Sequence, residues 1–178
     1  MKPGQKFRNA LKNNKPLIIP GTINAYSAKL AELANHNSIY LSGSGVAAAS
    51  YGLPDLGVTT LENVLIDAKR ITSATSLPLL VDIDTGWGDF DAISNTIIEM
   101  GNANVAAVHI EDQIFDKRCG HRPNKQLVSI DEMQDRLKAA LDAKIDDSFF
   151  IMARTDALAS EGIEKAIERC GKYLDCLL

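Results

Sequence analysis

The sequence predicts an α/β protein made of repeated strand-then-helix units, a (β/α)8 barrel of which this chain holds the first five to six units. Three observations carry this. Short apolar runs alternate with stretches of helical apolar spacing, polar residues gather just after the apolar runs, and those polar clusters follow four different runs. Five β-then-α units in succession require a parallel sheet with helices outside it. A doubly wound sheet and a barrel both place sites at the C-terminal strand edge, but drawing site residues from four strands favours the barrel. A complete barrel takes roughly 250 residues, so the 178 residues here are expected to form one partial barrel domain over 1–178. No linker or low-complexity segment divides it.

The expected strands are Leu17–Ile19, Ser38–Leu41, Leu79–Ile83, Val105–Ile110 and Phe149–Ala153, each a short apolar run of the kind buried on both faces. Leu61, Val64, Leu65, Ala68 and Ile71 fall at helical spacing, with Thr59 and Glu62 as a capping box. Ile93, Ile97 and Met100 mark a helix before the fourth strand. Ile130, Met133, Leu137, Ala140 and Leu141 mark another, opened by the Ser129/Glu132 pair. Ile163, Ala166, Ile167 and Cys170 predict the buried face of a last helix.

Composition narrows the function. A hydrophobic fraction of 46% and a charged fraction of 24% are those of a globular protein. A formal charge of −4, with no basic stripe, argues against a nucleic-acid surface. No apolar run is long enough to span a bilayer, and Met1 to Lys15 lacks the apolar centre of a secretory signal. Three cysteines at irregular spacing make no disulfide framework, so a reduced, cytoplasmic protein is expected.

Asp82 and Asp84, two apart at a strand end, are expected to project to one face. Paired anions repel unless a cation or proton intervenes, and Mg²⁺ suits such hard oxygen ligands. A strand-end turn with solvated aspartates is the other reading of the pair. Glu111 and Asp112 end the next strand, where a carboxylate could hold metal-bound water. His109 before them reads as a hydrogen-bonded core residue. Cys119 stands among Lys117, Arg118, His121 and Arg122, cations expected to depress a thiol pKa or to bind substrate carboxylates. Arg154 follows five apolar residues and needs a carboxylate partner, with Asp156 the nearest in sequence. Ser42, Gly43 and Ser44 offer backbone N–H groups to an anion or form a tight βα turn, and Tyr40 shares the face of Ser42.

These residues lie in the stretches GTINAYSA (21–28), IYLSGSGVAAASYGLPDLG (39–57), LPLLVDIDTGWG (77–88), VHIEDQ (108–113), KRCGHRPNK (117–125) and IMARTDALA (151–159). In that order they resemble the isocitrate lyase/phosphoenolpyruvate mutase superfamily, and within it the methylisocitrate-cleaving lyases. The KRCGH segment is similar to that of the lyases rather than the phosphonomutases, and Arg122-Pro123-Asn124-Lys125 to the methylisocitrate branch.

The resemblance implies cleavage of the tricarboxylate (2S,3R)-2-methylisocitrate to pyruvate and succinate, in propionate breakdown by the methylcitrate cycle. It implies Mg²⁺, or Mn²⁺ in its place, positioned by Asp82 and Asp84, with Glu111 and Asp55 behind the ion. Cys119 would be the general acid aided by His121, and Tyr40 the proton acceptor at the substrate hydroxyl. Ser42, Gly43, Ser44, Cys119, Gly120 and Arg154 would bind substrate. A homotetramer is implied for a complete chain. So are further strands beyond Leu178, carrying a glutamate and Asn and Arg ligands, and a helix exchanged between subunits.

The chain departs from the family pattern at Ser44, where a third glycine is usual, in a shortened Asp89-Phe90-Asp91 stretch, and at Asn102-Ala103-Asn104, where a glycine-containing turn is usual. The alternatives to an active methylisocitrate lyase are an inactive remnant of one, or a related lyase acting on dimethylmalate or oxaloacetate.

Overall fold

A computed structural model describes residues 1–120 and 122–177. Four parallel strands form one sheet in sequential order: β1 (Ile39–Leu41), β2 (Leu79–Asp82), β3 (Ala107–Glu111) and β4 (Phe150–Arg154). Each agrees with its expected apolar run to within two residues, the usual uncertainty of strand ends. Leu17–Ile19, the remaining expected strand, is not one. Its neighbourhood meets β1 only at Gly21, where Tyr40 N donates to Pro20 O (3.0 Å) and Thr22 N to Tyr40 O (2.7 Å). Pro16 and Pro20 bring no N–H to the ladder, so it cannot extend along this segment.

Within the strands, side chains alternate between the two faces of the sheet. Ile39, Leu41, Leu79, Val81, Val108, Ile110 and Ile151 point outward into the main core, against α2 (Ala25–Leu33), α4 (Leu61–Ala74), α5 (Phe90–Asn102) and α6 (Ile130–Asp142). Leu80 and Ala107 point inward and, with Ala106 just before β3, pack with Phe7 of α1 (Pro3–Asn13). This helix covers the N-terminal end of the concave face. Gly4 lies so close to the Ser148 carbonyl that a Cβ would overlap it.

The parallel register stacks inward residues in layers, as in a barrel interior. Tyr40, Leu80, Ala107 and Phe150 share one layer; Asp82, His109 and Met152 share the next; Glu111 and Arg154 cap it. Chemistry-bearing residues thus begin where the apolar layer ends.

The α4 cap sits one residue later than expected. Thr60 accepts from Asn63 N and Asn63 reciprocates to the Thr60 backbone. Thr59 is buried, and its carbonyl accepts from Trp87 Nε1. Ser129 caps α6 through Glu132 N as expected. Helices α1, α2 and α3 (Gly43–Tyr51) were not predicted. Their buried residues are mostly glycine and alanine, which leave little apolar periodicity to read.

The last helix, α8 (Ile163–Leu177), follows a short α7 (Leu158–Glu161) and departs from the sequence reading. Ala166, Arg169 and Tyr173 are buried, whereas Ile163 and Ile167 are 58% and 64% exposed. Polar anchoring explains the rotation. Arg169 pairs with Glu161 and donates to the Val128 carbonyl, and the Tyr173 hydroxyl donates to Asp112. These bonds hold the helix about a quarter turn from the orientation that would bury its apolar stripe. Ile163, Ile167 and Cys170 of the stripe are thus exposed, and among the described residues no strand pairs with the outer edge of β4.

Candidate active site

The site lies at the C-terminal ends of the strands. Asp82 ends β2, but Asp84 reaches it by a turn rather than by the strand pleat. Its φ is 48°, and Gly86 and Trp87 after it are also left-handed, at 91° and 60°. Asp84 N donates to Asp82 Oδ1 (3.1 Å), which closes the turn. A Cβ on Gly86 would overlap Ile93, so this position requires glycine for space as well as for φ.

Asp82, Asp84 and Glu111 each offer a carboxylate oxygen, and these atoms lie within 4.8 Å of one another. All three residues are buried. Burial, and then the charge of Asp82, raise the Asp84 carboxyl to about 6. Burial raises Glu111 to about 8 despite the cations of Arg154 and Lys117. Asp84 Oδ1 and Glu111 Oε2 are buried acceptors without an aligned hydrogen bond. Lys117 Nζ at 2.5 Å and Arg154 Nη1 at 3.1 Å meet them as ion pairs. Spare lone pairs on clustered hard oxygens fit a small divalent cation, so this set of residues could hold a metal.

Tyr40 reaches up from the layer below. Its hydroxyl lies 3.0 Å from His109 Nε2 and 3.3 Å from Asp82 Oδ2. Burial, and then Asp82, hold this phenol above its ordinary pKa. Burial pulls His109 below its own, which favours the neutral ring. His109 is therefore hydrogen-bonded, as expected, but it touches the site rather than a remote core.

Ser42, Gly43 and Ser44 open a nine-residue helix, α3, instead of forming a bare turn. Ser42 is its N-cap, accepting from Gly45 N, and its hydroxyl lies 2.9 Å from that of Ser44. Gly43 N donates to Asp82 Oδ2 (3.4 Å), and a Cβ there would press on the Asp84 and Asp82 carboxylates. The helix start thus faces the carboxylate cluster, with its N-terminal dipole toward negative charge.

The cysteine loop leaves β3 and returns to it, since Gln113 bridges Leu127 and Val128 N donates to Asp112 O. Lys117 turns inward and pairs with Asp84 and with Asp55 (2.9 Å). Burial disfavours its cation, but Asp84 and Asp55 outweigh that and hold its pKa above the ordinary value. Burial raises Asp55, yet hydrogen bonds from Lys117 and Cys119 bring its pKa below the usual value. Of the cations expected around the thiol, Arg118 and Arg122 line one cavity of about 460 Å³ with Cys119, Asp55 and Pro123. His121 lies outside the described residues.

Arg154 pairs with both Glu111 and Asp156 (3.2 Å), so it has two protein carboxylates where one was expected. Gly120 lies over Arg154 and Asp156, where a Cβ would overlap the guanidinium. Lys125 Nζ donates to the Gly120 carbonyl (2.6 Å) and closes the loop. Two participants carry no site role in the sequence reading, although both lie in its family-like stretches: Lys125 and Gln113, the latter 1% exposed and bonded to Glu111 and Asp156. The sign of Gln113 was its place two residues after Glu111, on the same side of the extended chain.

Residues 7–176 match the phosphoenolpyruvate phosphomutase family. The 2-methylisocitrate lyase of Shewanella oneidensis is 63% identical over 171 residues, covering 96% of this chain and 59% of that protein. The crystal structure of 2,3-dimethylmalate lyase, described as a PEP mutase/isocitrate lyase superfamily member, aligns with a TM-score of 0.91 at 35% identity, covering 99% of this chain and 60% of that one. Phosphonopyruvate hydrolase in complex with oxalate and Mg²⁺ aligns with a TM-score of 0.85 at 31% identity, covering 99% and 60%. The chain therefore spans about three-fifths of the length of the relatives it matches, and its open sheet is part of the barrel of that superfamily. With a family match over nearly all its residues, and with the carboxylates and cysteine loop in place at the strand ends, this chain belongs to the phosphoenolpyruvate phosphomutase family.

Proposed function

We propose that the chain carries the machinery of a Mg²⁺-dependent carbon–carbon lyase that cleaves (2S,3R)-2-methylisocitrate to pyruvate and succinate, in propionate breakdown by the methylcitrate cycle. One observation carries the reading: three buried carboxylates, two of them with an acceptor that no hydrogen bond fills, converge beside a cysteine loop. The 63% identity to a 2-methylisocitrate lyase supports the choice of substrate.

Asp82 and Asp84 would hold the ion, with Glu111 and Asp55 behind it. Mn²⁺ would serve in its place. When bound, Mg²⁺ supplies Lewis acidity for the charge that develops on the pyruvate side. Tyr40 takes the substrate hydroxyl proton while passing its own to neutral His109 Nε2, 3.0 Å away. This relay suits a phenol whose pKa is raised, because no free phenolate is required. As the C2–C3 bond breaks, its electron pair passes to the succinate fragment as an aci-carboxylate. Cys119, aided by His121, protonates that carbon. The first turn of α3 at Ser42, Gly43 and Ser44, with Gly120 and Arg154, offsets charge at the substrate carboxylates.

Among the described residues no helix is long and apolar enough to cross a membrane. Three cysteines at irregular spacing in the sequence favour a reducing, cytoplasmic setting. A homotetramer is proposed for a full-length protein. Mg²⁺-dependent release of pyruvate from 2-methylisocitrate tests the reading, and a panel including dimethylmalate and oxaloacetate separates it from related activities.

The open edge of β4 and the exposed Ile163 and Ile167 favour a second reading, a chain that is not by itself a catalytic unit. A single cooperative unfolding transition in the isolated chain counts against that reading.

A further inference from the structure

The Gln113 side-chain amide is engaged on every side. Its Nε2 lies 2.9 Å from Glu111 Oε1, 2.7 Å from Asp156 Oδ2 and 2.9 Å from the Arg118 carbonyl. Its Oε1 accepts from Arg118 N at 3.0 Å. The assignment of oxygen and nitrogen follows from these partners, since carboxylates can only accept and a backbone N–H can only donate.

Glu111 and Asp156 are also joined through Arg154, which pairs with both. Glu111, Gln113, Asp156 and Arg154 therefore close a ring of four side chains. The ring ties one Glu111 oxygen to an amide and leaves the other, Oε2, beside Arg154 without a hydrogen bond. The remaining Gln113 bonds go to the backbone of Arg118, the residue before Cys119. One neutral side chain thus touches both the carboxylate cluster and the root of the thiol loop. A carboxylate at 113 would face two others, and an apolar side chain would leave the Arg118 N–H and two carboxylate oxygens without this partner.

We propose that Gln113 is a positioning residue that couples the two halves of the site. It orients Glu111 toward the ion position and holds Arg118 so that Cys119 faces its cavity. The first half rests on the metal reading above, and the second does not.

The test uses the full chain with Cys170 and Cys176 replaced by serine, so that Cys119 is the one thiol. Gln113→Met keeps the volume and removes the hydrogen bonds, and Gln113→Asn keeps the amide but shortens its reach. Three quantities are measured: the Mg²⁺ dissociation constant by calorimetry, the Cys119 alkylation rate with iodoacetamide in EDTA, and the melting temperature. In folded Gln113→Met we expect Mg²⁺ binding weakened by about tenfold or more, and Cys119 alkylation changed by at least about threefold as the loop loses its anchor. Gln113→Asn should fall between Met and the parent on both. A lower melting temperature with parental Mg²⁺ affinity and parental alkylation rate overturns the proposal, as does a change in one of the two alone. If the parent binds no Mg²⁺, the metal reading fails separately, and the alkylation rate alone then decides whether Gln113 anchors the loop.

Discussion

Lys117 Nζ and Asp84 Oδ1 are 2.5 Å apart and both buried, and Asp55 flanks the same ammonium at 2.9 Å. The lysine thus supplies positive charge where the carboxylates would otherwise hold only a metal. Removing one partner of a buried pair costs about 3–5 kcal/mol, because the other charge is left uncompensated. Lys117→Met should therefore melt well below the parent in EDTA. Added Mg²⁺ should raise its melting temperature more than it raises the parent's, since the ion replaces a missing charge. Equal Mg²⁺ shifts in the two proteins would contradict this.

The metal-free cluster also predicts a pH dependence. Asp84 and Glu111 have folded pKa values raised to about 6 and about 8, above their values in an unfolded chain. Groups shifted in that direction contribute stability at low pH and lose it as pH rises through the folded pKa. In EDTA their contribution should fall from near pH 4 to near pH 8. Mg²⁺ affinity should rise over the upper part of that range, with protons released on binding. Glu111→Gln, measured by calorimetry in two buffers of different ionisation enthalpy, should release fewer protons. Unchanged proton release would sink the assignment.

Cys119→Ser tests the acid role. Positioned general acids contribute about 10²–10⁴-fold, so turnover should fall by at least about 10²-fold while Mg²⁺ and substrate affinities hold. Parallel loss of binding and turnover would mean that the thiol binds substrate rather than protonating it.

Much of this arrangement was legible in the sequence because it follows local pattern. Runs such as Leu79–Ile83 and Val105–Ile110 announced buried strands, and Ser129 with Glu132 announced a helix start. The placement of Asp82, Glu111 and Arg154 at strand ends followed from the same pattern. What escaped depends on long-range partners. The spacing of Asp82 and Asp84 suggested a shared strand face, but they converge through a left-handed turn at Asp84. Lys117 looked like a cation for the thiol, yet Asp84 and Asp55 claim it. The orientation of α8 is set by Arg169, Tyr173 and the distant Asp112, which no helical periodicity can reveal.

That Asp112 network carries its own prediction. Asp112 is fully buried and accepts from Thr155 Oγ1 (2.6 Å), Tyr173 OH (2.9 Å) and Asp156 N (3.0 Å), with Arg169 Nη1 at 3.4 Å. Asp112→Ala leaves the Arg169 charge and these donors short of a partner and should cost about 3–5 kcal/mol. Asp135→Ala, which breaks an exposed pair with Lys138, should cost under about 1 kcal/mol. Denaturant unfolding of both variants checks the contrast, and similar losses would refute the role of the network.

The most direct test of the whole account is pyruvate release from (2S,3R)-2-methylisocitrate by the folded, soluble chain, followed with and without Mg²⁺. Pyruvate and succinate are expected in equal amounts, lost on adding EDTA and lost in Cys119→Ser. No pyruvate from folded, Mg²⁺-saturated protein, or undiminished release in Cys119→Ser, would contradict it.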